Sequence, residues 1–151
     1  MADTIRRRIL TEIVAALSET PPTGVPIITT LNRRELHEKE EMPAMSVYPT
    51  TEKAEVIGGA GGPVTRRRLT FLVSCWASGT DTDAALDPML AWVTKTLNGQ
   101  RVMDGATQIS HEIEEIGTEW DDEQLEFGMG QAIVELVVSY STKVNDQEVL
   151  S

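Results

Sequence analysis

One stretch of alternating apolar residues limits the fold of this chain more than any other feature. Apolar side chains occupy every second position from Ala132 to Tyr140, which is the period of a β-strand that packs one face on a core. The inward set is Ala132, Val134, Leu136, Val138 and Tyr140. A shorter alternating run, Ile109–Ile116, precedes it across a polar connection that contains glycine. Together the two runs predict a long β-hairpin.

More strands are predicted upstream of this hairpin. Thr65–Ala77 alternates in the same way and should also pack one face on the core. Its inward positions are Leu69, Phe71, Val73, Cys75 and Ala77. Shorter extended segments are expected at Val25–Leu31, at Pro43–Pro49, and at Thr51–Ile57.

Two segments have the spacing of helices instead. Apolar residues recur every three or four positions from a cap at Asp3 to about Leu17, so the first helix should bury one side and leave Arg6 and Arg7 largely outside. A second helix is predicted between caps in Ser78–Asp83 and a stop at Asn98–Gly99. Pro88 is compatible with this helix only if the helix begins just before it or if the first turn absorbs it.

These elements predict an α+β fold in a single domain that spans residues 1–151. The most economical arrangement is a mostly antiparallel or mixed sheet with both helices packed on one face, because each helix has one apolar stripe. Residues 32–42 and 56–64 have few apolar side chains, and we expect mobile loops there. Residues 144–151 are predicted to be a flexible C-terminal tail.

Basic and acidic residues are concentrated in different halves of the chain. The net charge is −11, yet residues 1–68 contain ten of the thirteen basic residues and residues 69–151 contain fifteen of the twenty-four acidic ones. Such a chain is not expected to bind nucleic acid sequence-specifically, because affinity for the phosphates requires clustered cations. Each arginine triplet, Arg6–Arg8 and Arg66–Arg68, is expected to lie on a solvated face of a helix or strand. The alternative hypothesis is an ion-pairing patch for an acidic protein surface. The candidate interface residues are Arg6, Arg7, Arg33, Arg34, Arg66, Arg68, Glu112, Glu114, Glu115, Glu119, Asp121 and Asp122.

No pattern in the sequence predicts catalysis. Cys75 is the one cysteine, so no internal disulfide can form, and its place within a strand predicts a buried side chain. The glycine-rich segment Gly58–Pro63 lacks the Lys-Ser/Thr pair of a phosphate-binding loop. The dense carboxylates could hold a divalent cation, but a partner-facing surface is favoured. We therefore expect no enzyme, no metal, no cofactor and no membrane span.

Five segments share their order and spacing with a known family of proteins. They are the helix with Arg6–Arg8 and Ile9–Leu17, Met42–Tyr48, the strand Arg68–Val73, the helix Ala84–Leu90, and the final strand that ends at Val138–Thr142. In order, spacing and length, these segments resemble the tail terminator, or tail-completion, proteins of long-tailed bacteriophages of the lambda type. The resemblance covers most of the chain and involves no chemical signature.

This resemblance implies a non-enzymatic virion protein that is assembled in the host cytoplasm. Proteins of this family form a ring, usually a hexamer, at the head-proximal end of the tail tube. The implied partners are further copies of the chain, the tail tube protein and the connector of the head. DNA would pass through the ring without sequence-specific binding.

Two other interpretations remain open. Another neck or head–tail joining protein of similar size would be distinguished by the structures that accumulate in its absence. A small enzyme or metal-binding protein would be indicated by tight, stoichiometric binding of a divalent ion in calorimetry.

Overall fold

The computed structural model describes residues 3–19, 28–31, 43–58, 61–79, 81–121 and 128–150. Within them the chain forms two helices and eight strands. The helices are α1 (Ile5–Ser18) and α2 (Thr82–Leu97). The strands are β1 (Ile28–Leu31), β2 (Ala44–Ile57), β3 (Val64–Ser78), β4 (Arg101–Asp104), β5 (Thr107–Glu112), β6 (Glu114–Asp121), β7 (Met129–Lys143) and β8 (Asp146–Leu150). None of the helices in these residues is long and apolar enough to cross a membrane.

Six strands form one sheet around a long central pair. The order is β1-β2-β3-β7-β6, with β8 paired to one end of β7, while β4 and β5 form a separate two-stranded sheet. Among the described strands, β1 and β2 run parallel and the other neighbours run antiparallel. The predicted α+β fold with a mostly antiparallel sheet and a C-terminal hairpin, here β6–β7, is confirmed.

The core lies between the two helices and one face of the sheet, which we call the inner face. Each predicted inward residue of β3 and β7 is at most 2% exposed. These strand residues form one cluster with the buried side of both helices, Ile5, Ile9, Leu10, Ile13, Leu17, Leu86, Met89, Val93 and Leu97. The opposite face of the sheet is called the outer face below.

The helices are held by close contacts as well as by apolar burial. The indole nitrogen of Trp92 in α2 donates to the carbonyl oxygen of Leu17 at 3.3 Å, which joins α2 to the last turn of α1. The first residue of α2, Thr82, lies against Gly130 of β7, where an added Cβ atom would be 2.6 Å from the Thr82 Cβ. Glycine is therefore required for this approach of helix and strand.

The cap of α1 differs from the prediction, whereas the cap of α2 lies within the predicted Ser78–Asp83. Thr4, and not Asp3, caps α1, because its side chain accepts from the Arg7 backbone N–H at 3.2 Å. Asp81 caps α2 by accepting from the Ala84 N–H, so the helix starts well before Pro88 and includes it. Pro88 removes the hydrogen bond to the Ala84 carbonyl. Ala84 is exposed, and water can satisfy that carbonyl instead.

The predicted strand Ile109–Ile116 is interrupted at Ile113. The Ile113 N–H donates to the Gln100 carbonyl at 2.8 Å, and its carbonyl accepts from the Gly99 N–H at 2.8 Å. These bonds tie Ile113 to the segment that follows α2. The residues on either side therefore belong to different sheets, β5 with β4 and β6 with β7.

The segments predicted as two extended pieces on either side of Thr50 form the single strand β2. Thr50 is the extra residue of a β-bulge, and its hydroxyl donates to the Thr70 carbonyl at 3.3 Å. Ile116 is the extra residue of a second bulge, in β6. A bulge bends its strand and redirects the side chain, which explains how Ile116 comes to be 49% exposed.

The loop and tail predictions have mixed outcomes. Residues 32–42 lie outside the described residues, and so do residues 25–27 of the predicted strand Val25–Leu31, of which Ile28–Leu31 forms β1. Strand β2 ends at Ile57 and β3 begins at Val64, so part of the predicted loop 56–64 is strand. Residues 146–150 were predicted within a flexible tail but form β8, because Leu150 pairs opposite Thr142 and packs against the core.

Candidate interaction surface

A polar cluster under α1 uses two of the arginines inside the subunit. The Glu52 carboxylate accepts from Arg6 at 2.8 Å and from Arg67 at 3.3 Å. The Tyr140 hydroxyl donates to the same carboxylate, and Arg67 also donates to the Thr142 hydroxyl at 3.2 Å. Burial, followed by the hydrogen bond to Glu52, raises the pKa of Tyr140 above its usual range. Arg6, predicted to lie largely outside, is half-buried and holds α1 on the sheet.

Other charged candidates near α1 are also bound within the subunit or stand alone. The Arg8 Nε atom donates to Asp104 at 2.8 Å and so joins α1 to β4. Arg7 is exposed on the same helix, as predicted. Glu112 lies 3.5 Å from Arg101, and both side chains are more than half exposed, so the pair contributes little to stability.

The outer face carries a group of cations near the turn that joins β2 to β3. Lys53 and Arg68 are directly opposite each other, and Arg66 lies two residues away along β3. These three side chains border a cavity of about 640 Å³, which we call the basic cleft. Its other lining residues are Ala54, Glu55, His111 and Ser139. Like charges that face each other across two strands repel, so an anion bound here would be stabilising.

Strand β6 carries four of the predicted carboxylates, and the partners of Glu114 and Glu115 lie within the subunit. Glu114 lies 3.7 Å from the Arg68 guanidinium, with both side chains more than half exposed. Glu115 accepts from the Thr94 hydroxyl at 2.6 Å and thereby contacts α2. Asp121 ends the strand and is half-buried.

A second cavity on the outer face lies beside β6. Its volume is about 450 Å³, and we call it the acidic groove. Leu72, Ile116 and Ile133 form the apolar part of its wall, and Glu119 and Glu135 supply carboxylates. Its other lining residues are Thr50, Gly117 and Thr118. Both carboxylates belong to exposed residues.

The basic cleft and the acidic groove are at opposite ends of the outer face. Arg68 is opposite Ser139 of β7, whereas Glu119 is opposite Ile133 of the same strand. The two β7 positions are separated by about 20 Å, at roughly 3.3 Å per residue along the strand. This separation is too great for a direct ion pair between the two sites of one subunit.

The buried cysteine is not suited to nucleophilic chemistry. Cys75 is fully buried, and burial raises the pKa of its thiol to about 12. The thiol is therefore protonated at neutral pH and out of reach of a substrate. Within the described residues, no group of three or more His, Cys, Asp or Glu side chains could hold a metal ion.

The structure separates eleven of the twelve predicted interface residues into three groups, and the twelfth, Asp121, is half-buried at the end of β6. Arg6, Glu112, Glu114, Glu115 and Arg68 have partners within the subunit. Arg7, Arg66 and Glu119 are exposed without an ion pair among the described residues, and Arg33, Arg34 and Asp122 lie outside those residues.

Sequence reasoning missed four residues that matter for these sites. Glu52 and Tyr140 form the polar cluster, and no local pattern indicates that they meet. Lys53 and Glu135 line the cleft and the groove. Pairing β2 with β3 around the Gly58–Pro63 turn would have indicated Lys53, since it lies opposite Arg68 in that register.

Comparisons with known proteins give a likeness in structure. The chain matches no protein-family model and no curated protein. One solved structure to which it is similar is a chain in the virion of a native gene transfer agent particle. The TM-score is 0.48, the sequence identity is 10%, and the likeness covers 90% of each chain.

Proposed function

We propose that this protein is a structural component of a phage-type virion and acts as a tail terminator. Identical subunits would form a ring at the head-proximal end of the tail tube, stop its growth and offer a surface to the head. The proposal combines the family resemblance of the sequence with the character of the outer face. A structural role, without catalysis or a cofactor, is part of the proposal.

The observation that carries the proposal is the separation of charge on the outer face. Both described helices pack on the inner face. The outer face has an excess of exposed cations at the basic cleft, whose lining also includes Glu55, and exposed carboxylates in the acidic groove. Two different and complementary patches on one subunit are what a head-to-tail contact needs, and repeated head-to-tail contacts close into a ring when the rotation permits.

The number of subunits and the partners follow from the resemblance. We propose a hexamer that binds the tail tube protein on one side and the connector of the head on the other. The carboxylates Glu112, Glu114 and Glu115 are proposed to face the lumen, because an anionic wall repels DNA and lets it pass. Replacing all three with glutamine should slow DNA ejection, and unchanged ejection would contradict this placement.

The test is deletion of the gene in the source phage, followed by negative-stain electron microscopy of the lysate. Free heads beside tubes of uncontrolled length are expected, because tube initiation and growth would continue without the stop signal. Tails of normal length that fail to join heads would instead assign the protein to the neck. Normal virions would refute both assignments.

A further inference from the structure

The basic cleft and the acidic groove complement each other in charge. We propose that the basic cleft of one subunit binds the acidic groove of a second copy of the chain, head to tail. This inference rests on the proposed function, because it names the contact through which the ring would form. It goes further by assigning the contact to particular side chains.

Four charged side chains of the two sites have no ion-pair partner among the described residues. They are Lys53 and Arg66 in the cleft, and Glu119 and Glu135 in the groove. Along the sheet the two sites are about 13 to 20 Å apart, well beyond hydrogen-bond distance. A second copy can satisfy both sets, since it brings carboxylates to the cleft and cations to the groove.

The apolar wall of the groove favours long cationic side chains over other cations that could bind its carboxylates. Ile116 is 49% exposed beside Leu72 and Ile133, an unusual amount for an isoleucine in a strand. Lysine and arginine can lay their methylene groups on such a surface while the charged end reaches a carboxylate. Lys53 and Arg66 of the neighbour fit this description, whereas a small cation would leave Ile116 in water.

Repulsion between the cations of the basic cleft also favours binding of a neighbour's carboxylates. Lys53 faces Arg68 directly, Glu55 is opposite Arg66 in the same register, and Glu114 lies 3.7 Å from Arg68 and is itself 68% exposed. These two exposed carboxylates leave the three cations of the cleft only partly compensated. Carboxylates from a neighbouring groove would relieve this repulsion, so the cleft gains more from association than an isolated surface lysine would.

The test reverses the charge of one site at a time. One variant carries Lys53→Glu and Arg66→Glu, and the other carries Glu119→Lys and Glu135→Lys. The matched control, Lys95→Glu with Arg101→Glu, makes the same change in net charge as the first variant at exposed positions on α2 and β4. Circular dichroism verifies that each variant is folded, and native mass spectrometry with sedimentation velocity measures the population of rings.

Wild-type protein and the control should form rings of three or more subunits. Each site variant should lose them, with a decrease in ring population on the order of tenfold or more. Mixing the two site variants in equal amounts should restore rings that contain both chains in equal number. In such a ring, every contact again joins opposite charges.

Several results would overturn the inference. Rings that persist in both site variants, or a mixture that does not reassemble although both variants are folded, would exclude this contact. A wild-type dimer would indicate a two-fold pairing of outer faces instead of a head-to-tail contact, and a wild-type monomer at every soluble concentration would exclude self-docking. The deletion experiment is independent of these outcomes, so terminator function can stand if the contact is wrong, and the contact can stand if the tails have normal length.

Discussion

The contact between Gly130 and Thr82 allows a sharp test of how the fold is held together. Replacing Gly130 with alanine adds one methyl group where the start of α2 meets β7. The new Cβ atom would lie 2.6 Å from the Thr82 Cβ and 2.7 Å from its hydroxyl oxygen. Carbon atoms in favourable contact are about 3.5 to 4.0 Å apart, so the helix must move by roughly 1 Å.

The expected cost follows from this displacement. Thr82 is buried, and the Gly79 N–H donates to the Gly128 carbonyl at 3.0 Å nearby, so the helix start is fixed and cannot move without loss. Overpacking of this kind costs about 1 to 3 kcal/mol, while replacing glycine in a strand returns up to about 1 kcal/mol. We therefore expect Gly130→Ala to lower the free energy of unfolding by about 1 to 2 kcal/mol.

Urea denaturation followed by circular dichroism measures this change. Gly58→Ala is the matched control, because no atom lies within 4 Å of its added Cβ and its backbone is not in the left-handed region. Thr82→Gly should rescue the Gly130 variant, so that the double variant loses less stability than the sum of the two single variants. Equal stability of Gly130→Ala and Gly58→Ala would refute the steric argument.

Two further predictions concern ionisable groups. Glu52→Gln removes the shared anion of the half-buried polar cluster and should lower the free energy of unfolding by about 1 to 3 kcal/mol. The control, Glu55→Gln on the exposed side of β2, should change the free energy of unfolding little. Equal effects of the two substitutions in urea denaturation would contradict the role of the cluster. Burial raises the pKa of Cys75 from 9.0 to about 12, so the thiol of the unfolded chain ionises at a lower pH than that of the folded chain. The contribution of Cys75 to stability is therefore complete below pH 9 and is lost as the pH rises toward 12. Cys75→Ala should show a smaller loss of stability over that interval in pH-dependent denaturation, and an unchanged pH dependence would argue against burial of the thiol.

The long strands and both helices could be predicted from the sequence because their signals are local. Alternation over nine or more residues identifies β7 and β3 and assigns their inward faces, since a one-residue shift would expose every core side chain. Helical spacing and caps did the same for α1 and α2 to within a few residues. These signals require no knowledge of what lies nearby in space.

The interruption at Ile113 and the strand β8 could not be predicted in this way. Ile113 leaves the alternating run because Gln100 and Gly99, brought close by the end of α2, compete for its backbone groups. Residues 146–150 are polar enough for a tail, and they form a strand only because the end of β7 offers unpaired backbone groups. Both outcomes depend on neighbours that are distant in sequence.

The candidate sites illustrate the same division. The sequence predicts opposite charges in the two halves of the chain, and the structure contains a basic cleft and a groove with carboxylates. The pairing register of the strands determines which charged side chains are free to contact another molecule. Alternation turns Arg67 to the inner face and Arg66 and Arg68 to the outer face, and only the pairing of β2 with β3 places Glu52 within reach of Arg67. A count of charges along the chain cannot separate these roles.

The pairing of β3 with β7 has a consequence for how the chain reaches its folded state. These are the two most extensively paired strands of the sheet, yet α2 and three other strands lie between them in sequence. In a nascent chain, β3 cannot pair with β7 until β7 has left the ribosome. The apolar surface of the earlier strands is therefore exposed until then. Folding should be slow for a domain of this size, as expected for contacts between distant parts of a chain. Until then, a chaperone that shields β3 would protect the chain from aggregation.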